Sequence, residues 1–168
     1  MFYISYFRFM ISNSAKYAIK AIIYLGLHSS KSKKILTREM YEEIQVSESY
    51  LAKILQELAR HGIISSTKGR KGGFYLSDEN LEHSLMDVVR VVDGDQSVDS
   101  CLLGISNCNL DNPCALHDTV GKGKTEFNRK LENSLIKEVI SKLKGKEVYY
   151  PLWVRLLNRK EVEFELFT

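Results

Sequence analysis

The hydrophobic positions of this chain recur at helical spacing along most of its length, which predicts a mainly α-helical fold. An amphipathic helix is expected over 13–29 and a short one over 37–44, and residues 45–46 form the turn that follows. The next helix, over 49–60, repeats apolar residues at i, i+3, i+4 and i+7 and so buries one stripe. That stripe consists of Leu51, Ile54, Leu55 and Leu58.

The pattern changes after Gly62, a residue suited to ending a helix. Two short runs of β-branched and aromatic residues, 63–67 and 74–76, flank a basic, glycine-rich stretch and predict a β-hairpin. Two short helices joined by a tight turn and followed by such a hairpin form a winged helix-turn-helix domain, whose second helix enters the major groove of DNA. We therefore predict this domain over 10–80.

Helical spacing returns beyond the hairpin. Ser84 and Asp87 have the spacing of a capping box, and the helix that they begin stops at Gly94. Farther on, apolar residues at intervals of four or seven predict one long helix with a narrow apolar seam along one face. This helix is expected to pair with the same helix of a second chain in a homodimer. The seam consists of Val120, Phe127, Leu131, Leu135, Val139 and Leu143.

These elements divide the chain into five parts. The winged domain and the long helix are joined by a connecting helix and a cysteine-rich loop, and a segment of unassigned role lies at each end. The parts are an N-terminal extension over 1–9, the winged domain over 10–80, the connecting helix and loop over 81–117, the dimerisation helix over 118–145 and a tail over 146–168.

The opening segment over 1–9 is aromatic, but it is too short to span a membrane and lacks the small-residue cleavage site of a secretory signal. We therefore expect a cytoplasmic protein without a membrane partner. Because thiols stay reduced in the cytoplasm, the three cysteines are candidates for metal binding or redox sensing rather than for structural disulfides.

Charge separates along the chain in a way that the overall net charge of +3 conceals. Residues 12–76 hold 11 Lys and Arg against 5 Glu, whereas residues 77–121 hold one Arg against nine acidic residues. DNA binding requires cations that neutralise phosphates. The basic half is therefore expected to face double-stranded DNA, and the acidic stretch is expected to lie off that surface.

Two groups of polar side chains are predicted to contact DNA. Hydroxyls and long polar side chains at the start of the 49–60 helix suit phosphates and base edges, and cations in the hairpin suit phosphates or a narrow minor groove. The first group is Ser47, Ser49, Tyr50, Lys53 and Gln56, and the second is Lys68, Arg70 and Lys71. The alternatives are a solvated turn for the hairpin and packing support for Tyr50, but the position of the hairpin directly after a helix pair favours DNA contact.

Three cysteines and one histidine fall within one acidic segment with the spacing C-x6-C-x5-C-x2-H. They are Cys101, Cys108, Cys114 and His117. The segment lacks the C-x2-C pairs usual for structural zinc, whereas iron-sulfur clusters tolerate wider intervals and take mainly Cys ligands with occasional His. The alternatives are three unrelated thiols and a histidine without a ligand role, as we expect for His28, His61 and His83.

An enzyme is the least favoured class of function. The sequence offers no C-x-x-C pair, no Ser/His/Asp set and no phosphate-binding glycine loop at a strand-helix junction. We therefore expect neither catalysis nor a small-molecule substrate.

The chain resembles the Rrf2 family of bacterial transcriptional regulators, which includes IscR, NsrR and CymR. The resemblance runs from Met10 to about Lys144 and rests on "KYAIKAIIYLGLHS", "VSESYLAKILQELARHGIISSTKGRKGGFYLS", "MDVVRVVDG" and the cysteine loop ending in "CALH". It implies a dimer that places two wings on a palindromic operator. It also implies an iron-sulfur cluster, 2Fe-2S or 4Fe-4S, through which oxygen, nitric oxide or iron supply controls operator binding.

The resemblance extends to individual positions. Cys101, Cys108 and Cys114 match the three cysteines of the family, and His117 matches the histidine that completes the site in the IscR branch. In the NsrR branch an acidic residue of the partner chain completes it, and the corresponding position here is Tyr17. CymR-like members work without a cluster, so the alternative function is a cluster-free or zinc-bound winged-helix regulator controlled by a protein partner or thiol oxidation.

Overall fold

A computed structural model describes residues 11–95, 100–101 and 103–145 of the chain. The predicted extension over 1–9 and the tail over 146–168 lie outside the described residues, as does part of the cysteine loop. The helices are α1 (Asn13–His28), α2 (Tyr41–Ile44), α3 (Glu48–Arg60), α4 (Asp78–Leu81), α5 (Leu85–Asp93), α6 (His117–Glu132) and α7 (Ile136–Lys144), and the strands are β1 (Ser65–Thr67) and β2 (Gly73–Tyr75). None of the helices in this part of the chain is both long and apolar enough to cross a membrane.

Helix α1 lies at the centre of the core and packs against α3, α5 and α7. The hydroxyl of Ser12 caps it by accepting a hydrogen bond from the Ala15 N–H at 3.0 Å. Because several helices pack against it, its buried set is wider than the one apolar face expected of an amphipathic helix. The buried residues are Ala15, Ala18, Ala21, Ile22, Ile23, Tyr24 and Leu25.

The two helices of the predicted helix-turn-helix, α2 and α3, are joined by a tight turn. Gln45 closes it in the left-handed conformation, with φ of 62°. The expected helix over 37–44 is divided into a 3-10 turn (Thr37–Glu39) and α2, and the Glu39 carboxylate accepts a hydrogen bond from the Leu36 N–H at 2.6 Å. The four predicted residues of the α3 stripe are all buried.

Strands β1 and β2 form an antiparallel hairpin in which Ser65 lies opposite Tyr75 and Thr67 opposite Gly73. A backbone bridge adds Ile35 to the outer edge of β2, because Ile35 and Phe74 exchange hydrogen bonds of 2.9 and 2.8 Å. Gly73 makes this approach possible: its φ is +142°, and a Cβ at this position would lie 2.8 Å from the Ile35 carbonyl oxygen. The hairpin is therefore fastened to the segment before the helix-turn-helix.

Helix α5 begins with the predicted capping box. The Asp87 N–H donates to the Ser84 hydroxyl at 3.1 Å, and the Ser84 N–H donates to the Asp87 carboxylate at 2.8 Å. The helix ends at Gly94, which has φ of 80°. These bounds confirm the local signals in the sequence, and the helix buries Met86, Val88 and Val89 in the core.

The single long helix expected over 118–145 is wrong, because the chain forms two helices, α6 and α7. The break is held by a backbone bridge to the segment before α5: the Leu85 N–H donates to the Ser134 carbonyl at 2.9 Å, and the Ile136 N–H donates to the His83 carbonyl at 2.9 Å. Leu135 takes an extended conformation there. These long-range hydrogen bonds replace the helical ones that an unbroken helix would form.

Helix α7 packs onto the core of its own chain, so its apolar face is already occupied. Ile136 and Ile140 are buried, and Val139 and Leu143 pack against the same core. Gly26 on α1 permits this contact, because a Cβ there would collide with the Ile140 side chain. The second half of the predicted seam therefore belongs to the monomer core.

Candidate DNA interface and metal centre

One face of α3 carries the polar residues that the sequence predicts to read DNA. They lie opposite the buried stripe and are all exposed: Ser47, Ser49, Tyr50, Lys53 and Gln56. Ser47 precedes the first residue of α3, but its hydroxyl makes no capping hydrogen bond. A row of hydroxyls, an amide and an ammonium on an exposed helix face can donate to phosphate and base-edge acceptors.

Tyr50 also holds α3 against α1. Its hydroxyl hydrogen-bonds the Ser14 hydroxyl at 2.5 Å, and its ring meets the Tyr17 ring edge-on with centroids 6.3 Å apart. The side chain nevertheless remains 39% exposed. Tyr50 thus packs against α1 and also leaves part of its side chain exposed to solvent at the start of α3.

The wing, residues 65–75, presents its three predicted cations on the turn between the strands. Lys68, Arg70 and Lys71 are all exposed. Gly69 has φ of +98°, and the Gly72 N–H donates to its carbonyl at 2.8 Å, which closes the turn. The cations are therefore displayed together on a short, closed turn, as contact with closely spaced phosphates requires.

Asn80 is a supporting residue to which the sequence analysis assigns no role. This buried side chain donates to the Gly62 carbonyl at 2.7 Å and accepts from the Ser65 hydroxyl at 2.7 Å and the Ser77 N–H at 2.9 Å. It therefore ties the end of α3 to both ends of the wing. The three-residue spacing from Ser77 is a local capping signal, but the other partners are distant in sequence.

Short turns position the three cysteines of the loop. The Cys101 carbonyl accepts from the Gly104 N–H at 2.8 Å, and the Cys114 carbonyl accepts from the His117 N–H at 3.0 Å. Gly104 has φ of +68°, a conformation that favours glycine. The Cys108 N–H donates to the Ile105 carbonyl at 3.3 Å. Each cysteine is thus fixed by a backbone turn rather than by a helix or strand.

These turns bring the thiols together. The ligand atoms of Cys101, Cys108 and Cys114 all lie within 4.8 Å of one another, and all three residues are half-buried. The Cys101 and Cys114 sulfurs are 3.5 Å apart, and Cys108 Sγ is 3.2 Å from Nδ1 of His117. His117 contacts one thiol and is not part of the group within 4.8 Å. The three predicted cysteine ligands therefore lie close together, and His117 lies beside Cys108.

A cavity of about 180 Å³ lies beside the thiols, and the first turns of α6 form one of its walls. His117, Val120 and Lys124 line it together with the cysteines. The Lys124 ammonium also donates to the Ser100 carbonyl, which closes the start of the loop onto α6. The site is accordingly a partly enclosed space between the loop and α6.

The local environment shifts the pKa values of the Cys101 and Cys108 thiols in opposite directions. Backbone N–H donation from Leu103, followed by that from Ile105 and the neighbouring thiols, lowers the pKa of Cys101 to about 7, against the opposing effect of burial. The pKa of Cys108 is raised, because burial and the two other cysteines outweigh the lowering effect of the Cys114 backbone N–H. Thiolate is the form that binds metal, and Cys101 is the residue that reaches this form more easily.

The root of the cysteine loop is connected to the DNA-reading part of the chain. Asp93, at the end of α5, accepts hydrogen bonds from the N–H of Ser12, at 3.1 Å, and from its hydroxyl. Arg90 donates to the Glu132 carboxylate of α6 at 2.7 Å. The loop therefore departs from a point that is bound both to the start of α1 and to the end of α6.

Known proteins with related sequences are transcriptional regulators. The Rrf2 family model, described as an iron-dependent transcriptional regulator, matches residues 11–142. A helix-turn-helix transcriptional regulator of Aquifex aeolicus is 28% identical over 134 residues, which are 79% of this chain and 92% of that protein. The regulator NsrR of Oceanobacillus iheyensis is 26% identical over 125 residues, which are 74% of this chain and 84% of NsrR.

Solved structures of the same fold confirm the predicted winged-helix architecture. IscR of T. potens superposes with a TM-score of 0.62 at 17% identity, covering 86% of this chain and 96% of IscR. CymR, the global cysteine regulator of B. subtilis, superposes with a TM-score of 0.61 at 19% identity, covering 78% of this chain and 95% of CymR. The family and the two sequence relatives are transcriptional regulators and not enzymes. By a match over most of its length, the chain belongs to the Rrf2 family of transcriptional regulators.

Proposed function

We propose that this transcriptional regulator is a cytoplasmic homodimer whose affinity for a palindromic operator is set by an iron-sulfur cluster. Cys101, Cys108 and Cys114 would hold the cluster, with His117 as the fourth ligand. The observation that carries the proposal is the convergence of three thiols within 4.8 Å, in a chain whose exposed α3 face and wing suit DNA. The names of the relative NsrR and the structural neighbour IscR support the same class of regulator.

The residues present fit such a group. Three half-buried sulfurs and one imidazole nitrogen form a Cys-rich donor set of the kind that iron-sulfur clusters take. The adjoining cavity of about 180 Å³ has these four residues among its lining. When bound, the cluster would supply a centre that oxygen, nitric oxide or iron shortage can damage or withhold.

DNA recognition is assigned to α3 and the wing. The polar side chains of α3 would meet base edges and phosphates in the major groove, and the wing cations would bind backbone phosphates or the minor groove. The residues are Ser47, Ser49, Tyr50, Lys53 and Gln56 on α3, and Lys68, Arg70 and Lys71 in the wing. A dimer with two such units matches a palindromic site.

Coupling between the loop and the reader would pass through α1. Asp93 binds Ser12 at the start of α1, and two residues later Ser14 binds Tyr50 at the start of α3. Ordering the cysteine loop would steady Asp93 and, through these contacts, the position of α3. The change in DNA affinity can be no larger than the difference in cluster binding between the two states of the dimer.

Anaerobic purification with quantification of iron and sulfide tests the cluster. The wild-type protein should be coloured, whereas Cys108→Ala should lose the visible absorbance, stay folded and dimeric, and bind at least one operator with changed affinity. The His117→Ala variant should show a milder loss. The matched control is Ser106→Ala, an exposed change in the same loop, which should keep the wild-type absorbance and affinity.

Two results would contradict the proposal. A colourless wild-type protein without iron would favour a cluster-free or zinc-bound regulator, as the likeness to CymR allows. Equal binding of cluster-loaded protein and Cys108→Ala to every operator would show that the cluster does not control DNA affinity.

A further inference from the structure

The three thiols of the cysteine loop are not equivalent. Cys101 and Cys114 have their sulfurs 3.5 Å apart, whereas Cys108 faces the His117 ring with its sulfur 3.2 Å from Nδ1. All three sulfurs lie within 4.8 Å of one another, but Cys108 is engaged with His117 whereas Cys101 donates a hydrogen bond to Cys114, which makes these two a pair. This pair joins the two ends of the loop, and the third thiol is turned towards α6.

The surroundings of the pair allow the two sulfurs to approach further. A disulfide bond would need them about 1.5 Å closer than they are. The described residues between them are mostly exposed, and none of them is buried, so a small shift of the loop loses little packing. Both cysteines also line the same cavity, which leaves room for movement between them.

We propose that the cluster-free protein carries a redox-active pair, Cys101 and Cys114, which a peroxide oxidises to an intramolecular disulfide. One thiolate attacks the peroxide oxygen and forms a sulfenic acid, and water leaves. The second thiolate then attacks the sulfenic sulfur and releases a second water after protonation. Two thiols and one hydrogen peroxide thus give one disulfide and two waters, with the peroxide as the electron acceptor.

The disulfide would be a second closed state of the loop, and it would exclude the cluster-bound state. The proposal rests on the proposed function only in that the same sulfurs serve both states: a sulfur in a disulfide cannot act as a thiolate ligand. Oxidation of the cluster-free protein would therefore prevent cluster loading until a thiol reductant reopens the pair. The regulator would distinguish a lack of iron, which leaves free thiols, from peroxide, which leaves a disulfide.

The test uses the full chain, stripped of metal with a chelator, reduced, and then treated with hydrogen peroxide. Two of the three thiols per chain should be lost, the mass of the chain should fall by about 2 Da, and peptide mapping should find Cys101 joined to Cys114. Cys101→Ser and Cys114→Ser should each abolish this linkage. Cys108→Ser is the matched control, because it removes the third thiol and should still form the disulfide.

Three outcomes would overturn the inference. They are a dominant linkage that includes Cys108, a disulfide between two chains, and thiol loss that yields only sulfinic or sulfonic acids. None of these depends on cluster binding, since the measurement is made on the metal-free protein. A wild-type chain that contains no iron but forms the linkage would contradict the proposed function alone.

Discussion

At the scale of single residues, His28 is the side chain with the most evident energetic cost. Its Nε2 is buried and finds no hydrogen-bond partner among the described residues, and its ring lies 4.6 Å from that of Tyr24. Burial, followed by the nearby charge of Lys33, lowers its pKa from 6.5, while Glu43 acts in the opposite direction. The folded state therefore favours the neutral imidazole.

This shift predicts a loss of stability in acid. The unfolded chain takes up a proton near pH 6.5 and the folded chain takes it up only at lower pH, so the stabilisation is present above pH 6.5 and is lost as pH falls below it. His28→Phe keeps the ring but cannot be protonated. Urea unfolding between pH 7.5 and 5.5 should show a smaller acid-induced loss for His28→Phe than for the wild type, with stability at pH 7.5 changed by about 1 kcal/mol or less.

The control for this measurement is the exposed residue His61. The His61→Gln variant should lose stability in acid as the wild type does, because the ring of His61 is not buried. Parallel pH curves for His28→Phe and the wild type would show that another group causes the acid sensitivity.

At the scale of elements, the wing is predicted to act through charge. Replacing Lys68, Arg70 and Lys71 together with Ala should weaken operator binding severely and reduce the slope of log K against log salt by up to about three units, if each cation neutralises one phosphate. The fold should be retained, because all three side chains are exposed. Fluorescence anisotropy with labelled operator, from low to high salt, measures the slope.

A change of lysines elsewhere provides the comparison. Lys142 and Lys144 lie exposed on α7, and replacing both with Ala should leave the salt slope near that of the wild type. An unchanged slope in the wing variant would mean that the wing does not touch the duplex.

At the scale of the whole molecule, α6 is the element that we propose contacts a second chain. None of its side chains is buried in the single chain, yet Val120, Phe127 and Leu131 are half-buried along its length. Leu131 packs against the small cluster of Ala15, Met86 and Val89, which orients α6 on the core. Helix α7 cannot serve the same purpose, because its apolar side chains already contact its own core.

A charge on α6 is therefore predicted to separate the dimer. Phe127→Asp should give a monomer by sedimentation at micromolar concentration and should weaken operator binding, because a carboxylate in an apolar contact costs several kcal/mol unless it is paired. Thr119→Asp, an exposed change in the first turn of α6, should remain a dimer. A wild-type monomer under the same conditions would contradict the proposal of a homodimer.

Features that depend on neighbouring residues in the chain were predictable from the sequence. The bounds of α1, α3 and α5, the Ser84 capping box and the hairpin are set by local caps, turns and hydrophobic spacing, which act within a few residues. The spacing of Cys101, Cys108 and Cys114 likewise indicated a shared site, and the turns of the loop bring their sulfurs together.

Features that depend on distant partners were decided only by the tertiary structure. The bridge between the segments at Ser84 and Leu135 breaks the long helix, although the apolar repeat runs through the break without interruption. The approach of Ile140 to Gly26, the hydrogen bonds of Asn80 with Gly62 and Ser65, and the contact of Tyr50 with Ser14 join residues that no local pattern connects. The physical reason is that an apolar repeat indicates that one face of a helix is buried, whereas only the packing of the whole chain determines which surface buries it.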